Sequence, residues 1–96
     1  MQDRLKPFFN STGVAIIGAT NKPNKLSYGI VKNLTLYGFK GGIYPVNPKV
    51  DEILGYRCYL DILSVPDPVD LAVIVLPAGV VLQVIQDCEK RGIKAI

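Results

Sequence analysis

The chain contains no histidine. That absence removes the Ser-His-Asp and Cys-His forms of nucleophilic catalysis, and with them any phosphohistidine. If the chain serves an enzyme, it supplies binding and not the chemical step. Cysteine is scarce too: Cys58 and Cys88 stand apart, with no CxxC pair and no histidine to complete a metal site. Both read as inward-pointing, reduced thiols of a cytoplasmic protein, with a disulfide as the alternative. No apolar run approaches the roughly 18 residues of a membrane span. The first residues, MQDRLKPFFNSTG, lack the long apolar segment of a secretory signal. Basic residues are scattered singly, without the stripe of cations and interleaved aromatics that nucleic-acid binding requires. Internal repeats and low-complexity segments are missing as well.

What is present is enough for one domain. Of 96 residues, 49% are apolar, which can bury a real core. Eleven basic and eight acidic residues leave a net charge of +3. That balance suits a small anionic ligand, and it suits an ordinary solvated surface equally well.

Residues 1–12 carry Leu5, Pro7, Phe8 and Phe9 and read as a short amphipathic turn, limited by Pro7. Val14 to Ile17 is a continuous apolar run, as in a strand buried on both faces of a parallel sheet. Gly18 closes it, and the loop to Leu26 is rich in turn formers. Ser27 is read as the N-cap of a helix, with Leu26 and Val31 as its hydrophobic staple. Ile30, Val31, Leu34 and Tyr37 follow at helical spacing, and Gly38 occupies the C-cap glycine position.

Ile43-Tyr44-Pro45-Val46 is the next strand. Pro45 cannot donate to a ladder, so the strand must bulge there or leave that side unpaired. Residues 47–49 and 53–55 read as turns, 57–59 as extended, and 59–65 as holding a helical turn ended by Pro66-Asp67-Pro68. Asp70 to Leu76 is the strongest strand, apolar without alternation and so central in a sheet. Beyond Pro77, Val80, Val81, Val84, Ile85 and Cys88 form one helical face. Lys90 and Arg91 favour its C-terminal dipole end, and Gly92 caps it. Ile93 to Ile96 begins a further strand at which the sequence stops. The expectation is therefore an incomplete domain over 1–96, apparently truncated at its C-terminal end. The edge left there would favour pairing with a partner, a homo-oligomer included, or poor stability.

The alternation of strands and helices predicts an α/β fold: a Rossmann-like open parallel sheet with helices on both faces. The loops at 18–27, 46–50 and 76–80 then share the carboxyl edge, where such sheets bind ligands. The first loop is not GxGxxG, since ten residues separate Gly18 from Gly29. After the second strand, where a ribose-binding acid would sit in a nicotinamide site, stand Val46, Asn47, Pro48 and Lys49. Lysine there favours phosphate. Lys22, Lys25 and Lys49 are placed to share that edge, though each taken singly is ordinary surface. Pro77 and Ala78 read either as a pre-set helix start or as an apolar shelf for a planar base. The five tyrosines could stack on a base, but half-buried packing is the plainer reading. Asp67 and Asp70 lie at the opposite edge as loop carboxylates.

Four segments in this order resemble one family. They are Val14 to Thr20, Pro23 to Leu26, Gly41 to Lys49, and Val69 to Ala78. Together they are similar to the N-terminal CoA-binding domain of NDP-forming acyl-CoA synthetases, of the ADP-forming acetate–CoA ligase type and related to the succinyl-CoA synthetase α subunit. The resemblance covers about residues 5–96. It implies that Gly18, Ala19 and Thr20 meet CoA phosphate and that Lys25 matches a first-loop lysine. Val46, Asn47, Pro48 and Lys49 would lie along the adenine and its phosphorylated ribose, and Pro77 and Ala78 beside the pantetheine arm. Ser27-Tyr28 departs from the glycine-rich run common in that family.

The implied parent reaction joins an acid to CoA at the expense of ATP, giving acyl-CoA, ADP and phosphate. ATP and magnesium would be handled by other domains or a partner subunit of ATP-grasp type, with no catalysis by this chain alone. A stand-alone CoA- or nucleotide-binding regulatory module is the alternative. A NAD(P)-binding dehydrogenase domain is the third reading.

Overall fold

The computed structural model describes residues 11–96; the turn expected around Leu5 to Phe9 lies outside the described residues. The elements run β1 (Gly13–Ile17), α1 (Leu26–Leu36), β2 (Gly42–Val46), β3 (Glu52–Ile53), β4 (Tyr56–Arg57), a 3₁₀ turn (Ile62–Ser64), β5 (Leu71–Ile74), α2 (Ala78–Lys90) and β6 (Lys94–Ala95). Four strands form one sheet in the order β2-β1-β5-β6, with every pairing parallel. This is the Rossmann-like α/β architecture expected from the alternation of elements.

β1 is central because nothing in it needs water. All five of its residues are buried. Its side chains alternate between two cores, as a period of two demands. Val14 and Ile16 join Val31 and Leu34 of α1 on one face. Ala15 and Ile17 join Cys88 of α2 on the other, with Val84 packed alongside. β5 repeats the division, Leu71 and Val73 against Ala72. Burying a Val or Ile side chain from water contributes roughly 1.5–3 kcal/mol. The two strands therefore carry much of the hydrophobic stabilisation.

The strand expected over 70–76 is regular only over Leu71–Ile74, but its bonding to β1 reaches further. Asp70 N donates to Gly13 O at 3.1 Å, and Val75 N donates to Ile17 O at 2.9 Å. Asp70 also accepts from the Thr12 and Gly13 amides, which fixes the entry to β1. Asp67 pairs with Arg91 at 2.8 Å. Asp70 is thus structural, and Asp67 is held at the exposed surface.

Pro45 does not interrupt β2. Gly18 N bonds Val46 O on the β1 side, so Tyr44 and Val46 face β1 while Pro45 faces outward. The missing donor falls on the outer edge, where Pro45 O accepts from Tyr59 N at 2.9 Å. The register with β1 runs without a bulge. This outer bonding brings the 59–65 segment up to the carboxyl end of β2. Before it, β3 and β4 form a two-residue hairpin through Leu54 and Gly55, at φ 51 and 85. After it, Asp61 and Ser64 cap the 3₁₀ turn reciprocally, and the Asp67–Pro68 peptide is cis.

Two expectations about the helices change. Ser27 is not the N-cap: α1 starts at Leu26 with Lys25 in the cap position. Ser27 is instead buried, and its hydroxyl donates to Gly18 O at 3.0 Å. Leu26 is 70% exposed and forms no staple. In α2 only Cys88 of the apolar face is buried, and Val80 and Leu82 are exposed. Among the described elements this helix packs mainly on the 3₁₀ turn and β6. Both helices end in Schellman closures, Phe39 N to Leu34 O and Ile93 N to Cys88 O.

Gly18 leaves β1 at φ 90, and a Cβ built on it would stand 2.0 Å from Val75 O. Any side chain must therefore force the ends of β1 and β5 apart. Gly18→Ala is expected to lower stability by roughly 2 kcal/mol or more, read as a fall in the urea unfolding midpoint at unchanged slope.

Candidate functional site

The chain goes from β1 outward to β2, then crosses back past β1 to β5 and β6. The loops after β1 and β5 therefore part company at their shared carboxyl edge. This is the switch point at which open α/β sheets bind ligands. Gly18 and Val75 sit at its centre, and each lines two cavities.

One cavity, of about 380 Å³, mixes polar side chains with the apolar Leu26 and Val75. Its walls include Thr20, Lys22, Lys25 and Ser27. Thr20 Oγ1 accepts from Lys22 N at 3.3 Å, which leaves its hydroxyl proton to donate outward. The N-terminus of α1 opens on this cavity with no side-chain cap and no acidic residue in its first turn. A lysine in the N-cap position is unfavourable on its own, because the helix end is already positive. An anion between the lysines and that end reverses the sign of both interactions.

The other cavity, of about 460 Å³, is largely apolar. Ile17, Val46, Leu60, Ile62, Val75, Leu76 and Val84 line it, with Asn47, Pro48 and Lys49 along one side and Asp61 and Asp87 present. Asn47 joins the two site loops. Its Nδ2 donates to Ala19 O at 2.8 Å, and its Oδ1 accepts from Lys49 N at 2.8 Å. Its own N–H donates to Tyr59 O at 3.0 Å.

The structure thus brings most of the sequence-derived residues to one edge, in two groups. Lys22 and Lys25 stand at the smaller cavity, Lys49 at the larger one. The Gly18 N–H is taken by Val46 O and its carbonyl by Ser27. Ala19 is fully buried with its carbonyl held by Asn47. These two residues shape the turn, while Thr20 and the lysines face outward. Pro77 and Ala78 line neither cavity; they are exposed at the start of α2, directly after Leu76. None of the tyrosines lines either cavity. Tyr44 and Tyr59 pack edge to face at 5.9 Å, with Arg57 over the Tyr59 ring.

Leu60, Asp61, Ile62, Val84 and Asp87 are site-lining residues that sequence reasoning did not place. The helical turn at 59–65 was legible, but only the parallel bridge of Tyr59 to Val46 locates it at this edge. Cys58 and Cys88 belong to opposite faces of the sheet and are free thiols. Burial pushes both thiols up; Asp51 and Glu52 add to the effect at Cys58, and Asp87 adds at Cys88 while Arg91 opposes it. Neither is an activated nucleophile. No described helix is long and apolar enough to cross a membrane.

Known proteins share this fold. A family model described as a CoA binding domain matches residues 12–96. The chain is 47% identical over 96 residues to the acetate–CoA ligase (ADP-forming) I subunit alpha of Pyrococcus furiosus, covering 96% of this chain and 21% of that protein. It is 53% identical over 90 residues to an acetate–CoA ligase (ADP-forming) of Methanocaldococcus jannaschii, covering 94% of this chain and 12% of the relative. Among solved structures, it resembles a dinucleotide-forming acetyl-coenzyme A synthetase 1 of Ca. Korarchaeum cryptofilum, solved with phosphate and ADP. The TM-score is 0.86 at 48% identity, over 95% of this chain and 20% of that one. It also resembles a hypothetical protein of Pyrococcus horikoshii, with a TM-score of 0.83 at 26% identity, over 98% of this chain and 66% of the other. The chain therefore spans about a fifth or less of the two ligases it matches. Matched by the family model from β1 through β6, it belongs to the CoA-binding domain family.

Proposed function

We propose that the chain is the CoA-binding part of an ADP-forming acyl-CoA synthetase. The observation that carries this reading is the start of α1. Lys25 in the cap position, Lys22 beside it and no first-turn acid make an end that is electrostatically unfavourable until an anion arrives. The CoA diphosphate meets that requirement.

The rest of the ligand follows from the shape of the edge. Adenine enters the apolar cavity, whose volume falls within the usual range for small-molecule sites. Lys49 at its side takes the phosphate on the ribose. A lysine there acts as a mobile point charge and tolerates some variation in ligand geometry. The pantetheine arm leaves past Pro77 and Ala78, which are exposed beside Leu76. An acid that would hold bare ribose hydroxyls is replaced by Asn47, whose amide is already engaged. That disfavours a nicotinamide dinucleotide.

In the parent reaction a carboxylic acid and CoA become acyl-CoA while ATP is cleaved to ADP and phosphate. This chain, without histidine, contributes the CoA half of the site. The nucleotide and its magnesium belong to an ATP-grasp domain or subunit. A free-standing CoA-binding module is the second reading. It is favoured by the likeness to the P. horikoshii protein, of which the chain spans 66%.

Calorimetric titration tests the assignment. CoA should bind more tightly than NAD; the reverse order would remove CoA as the ligand. Lys49→Ala should weaken CoA by about tenfold, near 1.4 kcal/mol, and leave dephospho-CoA within about twofold. Equal losses for both would take the ribose phosphate away from Lys49. Asn47→Ala should instead weaken both ligands alike, by about tenfold, because it releases the Ala19 and Lys49 backbones together.

A further inference from the structure

The C-cap of α2 carries an arginine whose position exceeds what a helix dipole needs. The Arg91 guanidinium, only 18% exposed, does not turn to solvent. Its Nη1 donates to Ile62 O at 2.7 Å and also to Val65 O, and its Nη2 donates to Asp67 Oδ1 at 2.8 Å. One side chain thus holds both ends of the 3₁₀ turn. That turn supplies Ile62 to the apolar cavity, and Leu60 and Asp61 just before it line the same wall. The helix bearing Arg91 supplies the facing Val84 and Asp87. Two walls of one cavity are tied together by one guanidinium that lies outside it.

From this geometry we propose that Arg91 is the positioning residue of the apolar cavity, fixing its width before ligand arrives. The inference rests on that cavity receiving the adenosine end of CoA. The two carbonyls are the essential partners. The ion pair with Asp67, whose carboxylate is 87% exposed, contributes little, as exposed pairs do. Charged donors to carbonyls make stronger bonds than neutral ones, and Nη1 directs its N–H groups to both carbonyls within the rigid guanidinium plane. A pre-formed wall removes the ordering cost that a mobile one would charge against binding.

The test uses the full chain and its Arg91→Ala, Arg91→Lys and Asp67→Asn variants. Hydrogen exchange is followed by mass spectrometry without ligand, and adenosine 3′,5′-bisphosphate and pyrophosphate are titrated in parallel. Arg91→Ala should speed exchange at Ser64 and Val65 while leaving the β1 amides unchanged. It should weaken adenosine 3′,5′-bisphosphate by about tenfold and pyrophosphate by less than about twofold. Arg91→Lys, which keeps the charge but loses the planar, fixed set of donors, should fall between. Asp67→Asn should match the parent within about twofold. If Arg91→Ala fails to fold, Arg91→Lys and Asp67→Asn carry the same comparison. Parent-like exchange and binding in the arginine variants would overturn the proposal, and so would an equal loss of pyrophosphate. Failure of the parent itself to bind adenosine 3′,5′-bisphosphate would count against the CoA reading, while exchange at Ser64 and Val65 would still decide the tether.

Discussion

The parallel ladder that β1 makes on both sides is the constraint from which the rest of the structure follows. Ile17 stands level with Val46 on one side and with Ile74 on the other. Three strands therefore end together and release their loops at one edge. Parallel pairing also requires each connection to return across the sheet, which puts α1 and α2 on its two faces. β1 can sit between two partners only because it is apolar on both faces and ends in a residue without a side chain. At Gly18 the close approach of Val75 O leaves no room for a Cβ. The same packing that closes the core creates the crevice.

The crevice then divides its chemistry between two sides. On the α1 side the polar groups, Thr20, Lys22 and Lys25, are hydroxylic and cationic and stand beside the exposed Leu26. On the α2 side the cavity is apolar and bounded by Leu60, Ile62, Val75 and Val84. Asn47 connects the sides, because its amide meets backbone from both site loops. An extended ligand with a planar apolar end and a charged middle fits this division, whereas a small anion alone would leave the larger cavity without purpose.

Much of this was legible from residues. The unbroken apolar runs at 14–17 and 71–75 located the central strands, since only burial on both faces tolerates them. Gly38 and Gly92 marked the helix ends correctly. The exceptions share one cause: they depend on pairing between segments distant in sequence. Ser27 looked like a cap by local spacing, but the Gly18 carbonyl nine residues earlier recruits its hydroxyl. At Pro45 the sequence left open a bulge or a side without a donor, and the outer partner, Tyr59, shows the second. The 60–62 wall had no local signal of ligand binding. It reaches the site through Tyr59 and is held there by Arg91, far along the chain. For α2, periodicity gave the apolar stripe, but of it only Cys88 is buried.

The places where local stability rules are broken coincide with the site. Both helices begin there without a side-chain cap and without an acid in the first turn, although a capping residue commonly adds about 1 kcal/mol. At α1 the cap position holds a lysine, the wrong charge for that end. Elsewhere the chain follows the rules closely: Asp61 and Ser64 cap a three-residue turn reciprocally, and both helices close with glycine. A sequence able to cap so short a turn has no general difficulty with caps. Local conflicts of this kind concentrate where function requires them. At α1 the uncompensated start keeps N–H groups and positive potential free of a competing side chain, which suits the anionic ligand proposed for this edge.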